Sequence, residues 1–192
     1  MARLIYLIGA SGCGKDSLLG ALRASDTKHI LVAHRYITRP ASSGSENHIA
    51  LSEREFRFRH RHGLFCLSWQ AHQLHYGLGI EVDVWLEKGI DVIVNGSRAD
   101  LPQADKRYGD RLLPICLTVP QKILEQRLRK RGRENERQIA ERLRRTVNYQ
   151  ATVPTSCAYL SNTGPLEQTV QAFWQWLNKT EDPAPAGRRF DD

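Results

Sequence analysis

The chain has 192 residues, with 28 Lys and Arg against 21 Asp and Glu, a formal charge of +7 and an apolar fraction of 41%. That length and composition suit one soluble core domain with an insertion or two, and no run approaches the ~18 apolar residues of a membrane span. The basic balance calls for an anionic partner, yet no helix-turn-helix, zinc-finger or RNA-binding signature accompanies it.

The first apolar run, residues 3–8, is nearly continuous and reads as a buried parallel strand. It passes directly into Gly9-Ala10-Ser11-Gly12-Cys13-Gly14-Lys15-Asp16-Ser17, and a helical pattern follows to about residue 24. A strand, a glycine-rich turn and a helix in that order form a phosphate-binding loop. Its glycines let several backbone N–H groups converge on one anion. The helix N-terminus adds a partial positive charge. Lys15 adds a full one, within reach of β- and γ-phosphates. Gly9, Gly14 and Lys15 match G-x-x-x-x-G-K, but the hydroxyl expected next, a Mg²⁺ ligand, is replaced by Asp16 with Ser17 behind it. A carboxylate beside phosphate is repulsive unless a cation lies between them. Asp16 and Ser17 are therefore the candidate Mg²⁺ ligands, and the plainer role for Asp16 is a favourable charge at the helix start.

Residues 29–33 give a second strand candidate, which runs into Arg35-Tyr36-Ile37-Thr38-Arg39-Pro40, where Pro40 ends regular structure. Residues 41–47 read as a loop. Ser52-Glu53-Arg54-Glu55 is a capping box that opens a helix to about residue 62, whose arginines and histidines form a solvated face. A strand is expected over 64–69 and a turn at Tyr76-Gly77. A helix over 81–88 is closed by Gly89. Residues 91–95 form the next buried strand, with Asn95, Ser97 and Arg98 at its carboxyl end, where open α/β sheets bind ligands. A helix over 101–108, a strand over 113–119 and a helix begun by Pro120 follow. Residues 131–135 interrupt that helix, and another runs over 136–149. A short strand over 157–161 precedes a terminal helix whose apolar stripe includes Phe173, Trp174 and Leu177. The polar tail from 179 to 192 is expected to fray.

Alternating strands and helices imply an α/β fold with a parallel sheet covered on both faces. The stretch 38–88 breaks the alternation and reads as an inserted acceptor-binding lobe within one domain, 1–178. Cysteines 13, 66, 116 and 157 have no metal or disulfide spacing, so reduced thiols in a cytoplasmic protein are expected. Cys13 lies within the loop, open in principle to oxidation or alkylation. The N-terminus enters a strand at once, and no signal peptide is expected.

Three stretches together resemble guanylate kinase: the phosphate loop, Tyr36-Ile37-Thr38-Arg39-Pro40, and Arg127-Leu128-x-x-Arg131-Gly132 with Ile139-x-x-Arg142-Leu143. The likeness implies a P-loop kinase with an inserted acceptor lobe and an arginine-rich lid, here about 129–140. It departs where that family reads guanine with acidic residues. Leu67-Ser68 stands at the first place and Asn95-Gly96-Ser97 at the second. Guanine N–H groups buried without acceptors cost about 1–3 kcal/mol each, so GMP fits poorly. His48 stands where that family has a phosphate-binding tyrosine. With Glu46-Asn47-His48 and Val94-Asn95-Gly96-Ser97-Arg98, the pattern is similar to the ribose 1,5-bisphosphate phosphokinases of phosphonate catabolism, which use ATP to phosphorylate a sugar 1-phosphate. What the resemblance implies is ATP and Mg²⁺ on residues 9–17, with catalytic charges from Lys15, Arg131 and Arg142. The acceptor would be held by Arg35, Thr38, Arg39, His48, Tyr76, Asn95, Ser97 and Arg98. The expected partner is a small phosphorylated sugar, not nucleic acid or membrane, and a homodimer is compatible with the sequence. A nucleoside monophosphate kinase and a non-catalytic binding module are the alternatives.

Overall fold

The computed structural model describes residues 1–25, 30–43, 46–132, 134–150, 153–154 and 156–180, apart from the side chains of Arg131 and Gln150. Strand β1 (Leu4–Ile8) is wholly buried, and its alternating side chains supply both halves of the core. Leu4, Tyr6 and Ile8 join one apolar cluster, while Ile5 and Leu7 join the other. That two-faced burial is why the strand reads as a continuous apolar run instead of alternating.

The main sheet is parallel throughout, with β1 between β7 (Asp91–Asn95) and β8 (Leu112–Thr118). Strand β2 (Ile30–Val32) lies outside β7, and β9 (Ala158–Ser161) lies outside β8. Helices α3 (Glu81–Glu87) and α4 (Leu101–Tyr108) send Val82, Leu86, Leu101 and Ala104 into the Leu4 cluster. Helices α1 (Lys15–Ala24), α5 (Gln121–Arg131), α6 (Glu136–Gln150) and α7 (Leu166–Lys179) fill the opposite cluster, with Phe173 fully buried. The terminal aromatic stripe is therefore core. Pro120 precedes α5 as its cap residue instead of occupying the first helical position. Gly132 closes α5 with φ +63, a left-handed turn that lets the chain reverse into α6. The tail from 181 onward lies outside the described residues.

A second sheet of four strands, in the order β4-β3-β6-β5, makes the inserted lobe. Its members are β3 (Arg35–Ile37), β4 (Ile49–Ala50), β5 (Phe65–Ala71) and β6 (Leu74–Gly79), with α2 (Glu53–Arg61) packed beside them through buried Phe56. The lobe sheet thus begins at Arg35, three residues before the expected boundary at 38. The Ser52 hydroxyl caps α2 by accepting from Glu55 N at 3.1 Å. Arg57 and Arg59 pair with Glu53 and Glu55 one turn back, consistent with a solvated face.

The turn expected at Tyr76-Gly77 is not there: both residues lie inside β6. The hairpin reverses at His72-Gln73, which adopt φ of 50° and 63° between the paired Ala71 and Leu74. A two-residue hairpin loop needs that left-handed pair, and neither residue is one that advertises it in sequence. Gly77 serves packing instead. A Cβ there would lie 2.7 Å from the ring of Phe65.

Candidate active site

The carboxyl ends of β1 and β7 open into a cleft of ≈ 750 Å³ between the main sheet, the lobe and α6. Lysine and arginine outnumber carboxylates two to one on its lining. Such a surface suits a highly anionic occupant.

One half of the cleft is the loop 9–17, built mainly from backbone. Gly14 has φ +102, a conformation that L side chains rarely adopt, and it delivers the chain into α1. Lys15 Nζ curls back over the loop and donates to Gly9 O at 2.7 Å and Ala10 O at 3.2 Å. Its charge therefore lies over the first residues of the loop. Asn162, buried at the end of β9, donates to Cys13 O at 2.7 Å and accepts from Thr169 at 3.0 Å. This braces the loop against α7. Tyr149 of α6 accepts from Gly9 N at 3.0 Å, and burial raises its phenol pKa. Its carbonyl takes a bond from Arg98 Nη1 at 2.8 Å, and the Arg98 guanidinium lies 4.2 Å from its ring centroid. Arg142, on the same helix, reaches Ser11 Oγ at 3.0 Å and pairs with Glu134. One helix therefore holds the first part of the loop at two points, Gly9 and Ser11.

The other half is built from side chains. Glu46 accepts from Arg35 Nε and Nη2, both at 2.5 Å, and meets Arg39 Nη2 at 3.5 Å. Burial works to raise the Glu46 pKa, but its bonds to Arg35 and the nearby Arg39 outweigh that and hold it below the ordinary carboxylate value. Arg35 also lies 5.0 Å from the ring centroid of Tyr76, which stacks on Trp69. His48 is buried behind Arg39, with Nδ1 3.1 Å from Arg39 Nη2 and Nε2 3.2 Å from Arg39 O. Asn95 Nδ2 lies 3.5 Å from Glu46. Among the described residues, two buried atoms in this cluster have no hydrogen-bond partner: Arg39 Nε and Asn95 Oδ1.

Of the residues expected from sequence, Lys15, Asp16, Ser17, Arg35, Arg39, Tyr76, Asn95, Ser97, Arg98 and Arg142 line the one cleft. Three do not. The Thr38 hydroxyl is spent on His75 N at 2.9 Å, bracing β3 against β6. His48 stands behind Arg39. Cys13 is buried beneath the loop, where desolvation raises its thiol pKa, so the reactivity considered for it does not hold. The side chain of Arg131 lies outside the described residues. Ser97 is fixed through backbone: its N–H donates to Tyr6 Oη at 3.0 Å, and that hydroxyl donates to Ser97 O at 3.1 Å. Sequence reasoning missed Glu46, Tyr149 and Asn162. Glu46 alone left a signal, as part of the Glu46-Asn47-His48 pattern, though without a role of its own. It also supplies a carboxylate near Asn95, where the sequence pattern shows none. Its oxygens, however, are already held by Arg35.

Magnesium would fit the loop end of this cleft. Asp16 and Ser17 line it at the first turn of α1, and among the described residues no three His, Cys, Asp or Glu gather to hold a metal by themselves. Mg²⁺ commonly takes one or two protein ligands and completes its shell with phosphate and water.

The chain is 62% identical over 173 residues to the ribose 1,5-bisphosphate phosphokinase PhnN of Dickeya zeae, spanning 90% of this chain and 92% of that one. The counterpart in Pectobacterium parmentieri is 59% identical over 177 residues, 92% of this chain and 94% of its own. That in Yersinia pestis is 57% identical over the same length, 92% of each. No family model matches. Among solved structures, a guanylate kinase from Anaplasma phagocytophilum superposes with a TM-score of 0.70 at 14% identity, over 95% of this chain and 87% of that one. The two share a fold.

Proposed function

From the premise that the chain belongs to the ribose 1,5-bisphosphate phosphokinase family, we propose that it moves the γ-phosphoryl group of ATP onto the 1-phosphate of ribose 1,5-bisphosphate. An oxygen of that phosphate forms the new P–O bond as the bond between the γ-phosphorus and the β-bridging oxygen breaks. ADP departs with the bonding electrons, and 5-phosphoribosyl 1-diphosphate is the product. The observation that carries this reading is the meeting in one cleft of two differently built cationic regions: the glycine-rich loop with Lys15 folded over it, and the arginine cluster of Arg35 and Arg39.

Both reactants are strongly anionic, so the work is alignment and charge neutralisation. The loop amides and Lys15 hold the ATP phosphates. Asp16 and Ser17 would hold a Mg²⁺, which would supply countercharge to the nucleotide phosphates. Arg39 takes the acceptor phosphate, with Arg35 and His48 as positioning residues behind it. Arg142 reaches the loop from α6 and stabilises the transferring group, and Arg98 flanks it. An acceptor phosphate is already a nucleophilic anion, so no strong general base is required.

A steady-state assay with ribose 1,5-bisphosphate beside GMP tests the reading. ADP release with the sugar bisphosphate at a kcat/KM well above that for GMP is expected. Preferred turnover of GMP would overturn it.

A further inference from the structure

A cleft suited to two polyanions carries a largely shielded carboxylate on its lining. Glu46 is largely shielded from water, with 11% of its side chain exposed, and it stays ionised because Arg35 and Arg39 converge on it. Its oxygens are acceptors within a net-cationic cluster, and a donor on the ligand suits them better than a phosphate oxygen does. Phosphate oxygens at neutral pH are acceptors and cannot provide one.

The rest of the cluster has the same polarity. Asn95 is 3% exposed, lines the cleft, and carries an oxygen with no partner. Its amide nitrogen faces Glu46 at 3.5 Å, which fixes the orientation of the group, since the flipped amide would set oxygen against carboxylate. The contacts to Glu46 from Arg39 and Asn95 are both at 3.5 Å, at the outer limit of a hydrogen bond, whereas those from Arg35 are at 2.5 Å. A lone pair on each carboxylate oxygen is therefore weakly used. Beside these acceptors lies the one unpartnered buried donor of the cluster, Arg39 Nε. The pattern is acceptors next to a cationic donor, which complements hydroxyl groups next to phosphate.

We infer that Glu46 and Asn95 form the specificity element of the acceptor site, taking hydrogen bonds from the sugar hydroxyls that lie between the two phosphates. This rests on the acceptor being a phosphorylated sugar. The pair places acceptors where the sugar ring passes and cations where its phosphates lie, so an acceptor lacking the hydroxyls leaves buried lone pairs unsatisfied. Losing such a bond to a charged acceptor commonly weakens discrimination on the order of 10–100-fold.

The test measures kcat/KM for wild type, Glu46→Gln and Asn95→Leu with ribose 1,5-bisphosphate and with its 2-deoxy and 3-deoxy analogues. Wild type is expected to disfavour at least one deoxy analogue by about tenfold or more. Each variant is expected to lose that preference through a fall on the ribose compound, with the deoxy compound little changed. Equal loss on all acceptors would mean that Glu46 only pins the arginines, and would overturn the inference. So would a wild type indifferent to both deletions. Failure of the sugar assignment itself shows separately, as no ADP release from wild type with ribose 1,5-bisphosphate, and removes this inference with it. Circular dichroism of both variants confirms that the comparison is made on folded protein.

Discussion

The two halves of the cleft are made of different materials. The proposed nucleotide half is backbone: glycines in left-handed geometry, a helix start, and Lys15 folded over its own loop. The acceptor half is side chain: Arg35, Arg39, Glu46, His48 and Asn95, drawn from three separated segments and held by one another. A backbone site recognises what all nucleoside triphosphates share and tolerates little change. A side-chain site can be rewritten residue by residue. That difference explains how one fold, common to this chain and a guanylate kinase at 14% identity, serves another acceptor.

The comparison breaks most visibly at Lys15. Lys15→Ala should lower kcat by about 10²–10³, the usual cost of removing one preorganised charge stabiliser, with unchanged binding of the acceptor by calorimetry. Loss of acceptor affinity as well would mean that the halves are not separable. Next comes the brace under the loop. Asn162→Ala leaves Cys13 O and the Thr169 hydroxyl buried without their partner. A loss of about 1–3 kcal/mol of stability is expected in urea unfolding, with the nucleotide KM rising more than the acceptor KM.

A smaller effect is expected at Asp16. Asp16→Asn should raise the Mg²⁺ concentration for half-maximal rate severalfold and leave metal-free nucleotide binding nearly unchanged. A magnesium titration of both proteins decides it, and an unshifted curve would return Asp16 to a helix-start role. The smallest effect lies in pH. The Glu46 pKa is lowered in the folded protein from 4.5. Its ionised form therefore contributes stability above that value, and the contribution disappears as pH falls through the lowered folded value. The difference in Tm between wild type and Glu46→Gln should hold near neutrality and shrink on acidification below pH 4.5. A difference that is constant down to the folded pKa and beyond would assign it to packing.

The same division decided what was legible in the sequence. Backbone geometry leaves local marks, so Gly9, Gly14 and Lys15 announced the loop, and β1 announced itself by apolar residues on both faces. The helix over 101–108 lies where it was expected, and the core role of Phe173 followed from helical spacing. The acceptor cluster depends on residues brought together from positions 35, 46 and 95, and no local pattern encodes that meeting. Arg35 was readable as a cation near the acceptor, but not as a group whose fork is taken by Glu46. Thr38 was readable as polar, but its hydroxyl is spent within the lobe sheet. The hairpin was misplaced for a related reason. His72 and Gln73 carry the left-handed turn without glycine or asparagine, while Gly77 drew the turn assignment to a strand where it makes room for Phe65.

On this reading the cleft passes a phosphoryl group from a nucleotide to the phosphate of a sugar. Phosphorus NMR of the reaction with ATP and ribose 1,5-bisphosphate tests it most directly. The single resonance of the sugar 1-phosphate should be replaced by a coupled pair from a new diphosphate as ADP accumulates in equal amount. ADP accumulating with inorganic phosphate, and the sugar resonances unchanged, would contradict it.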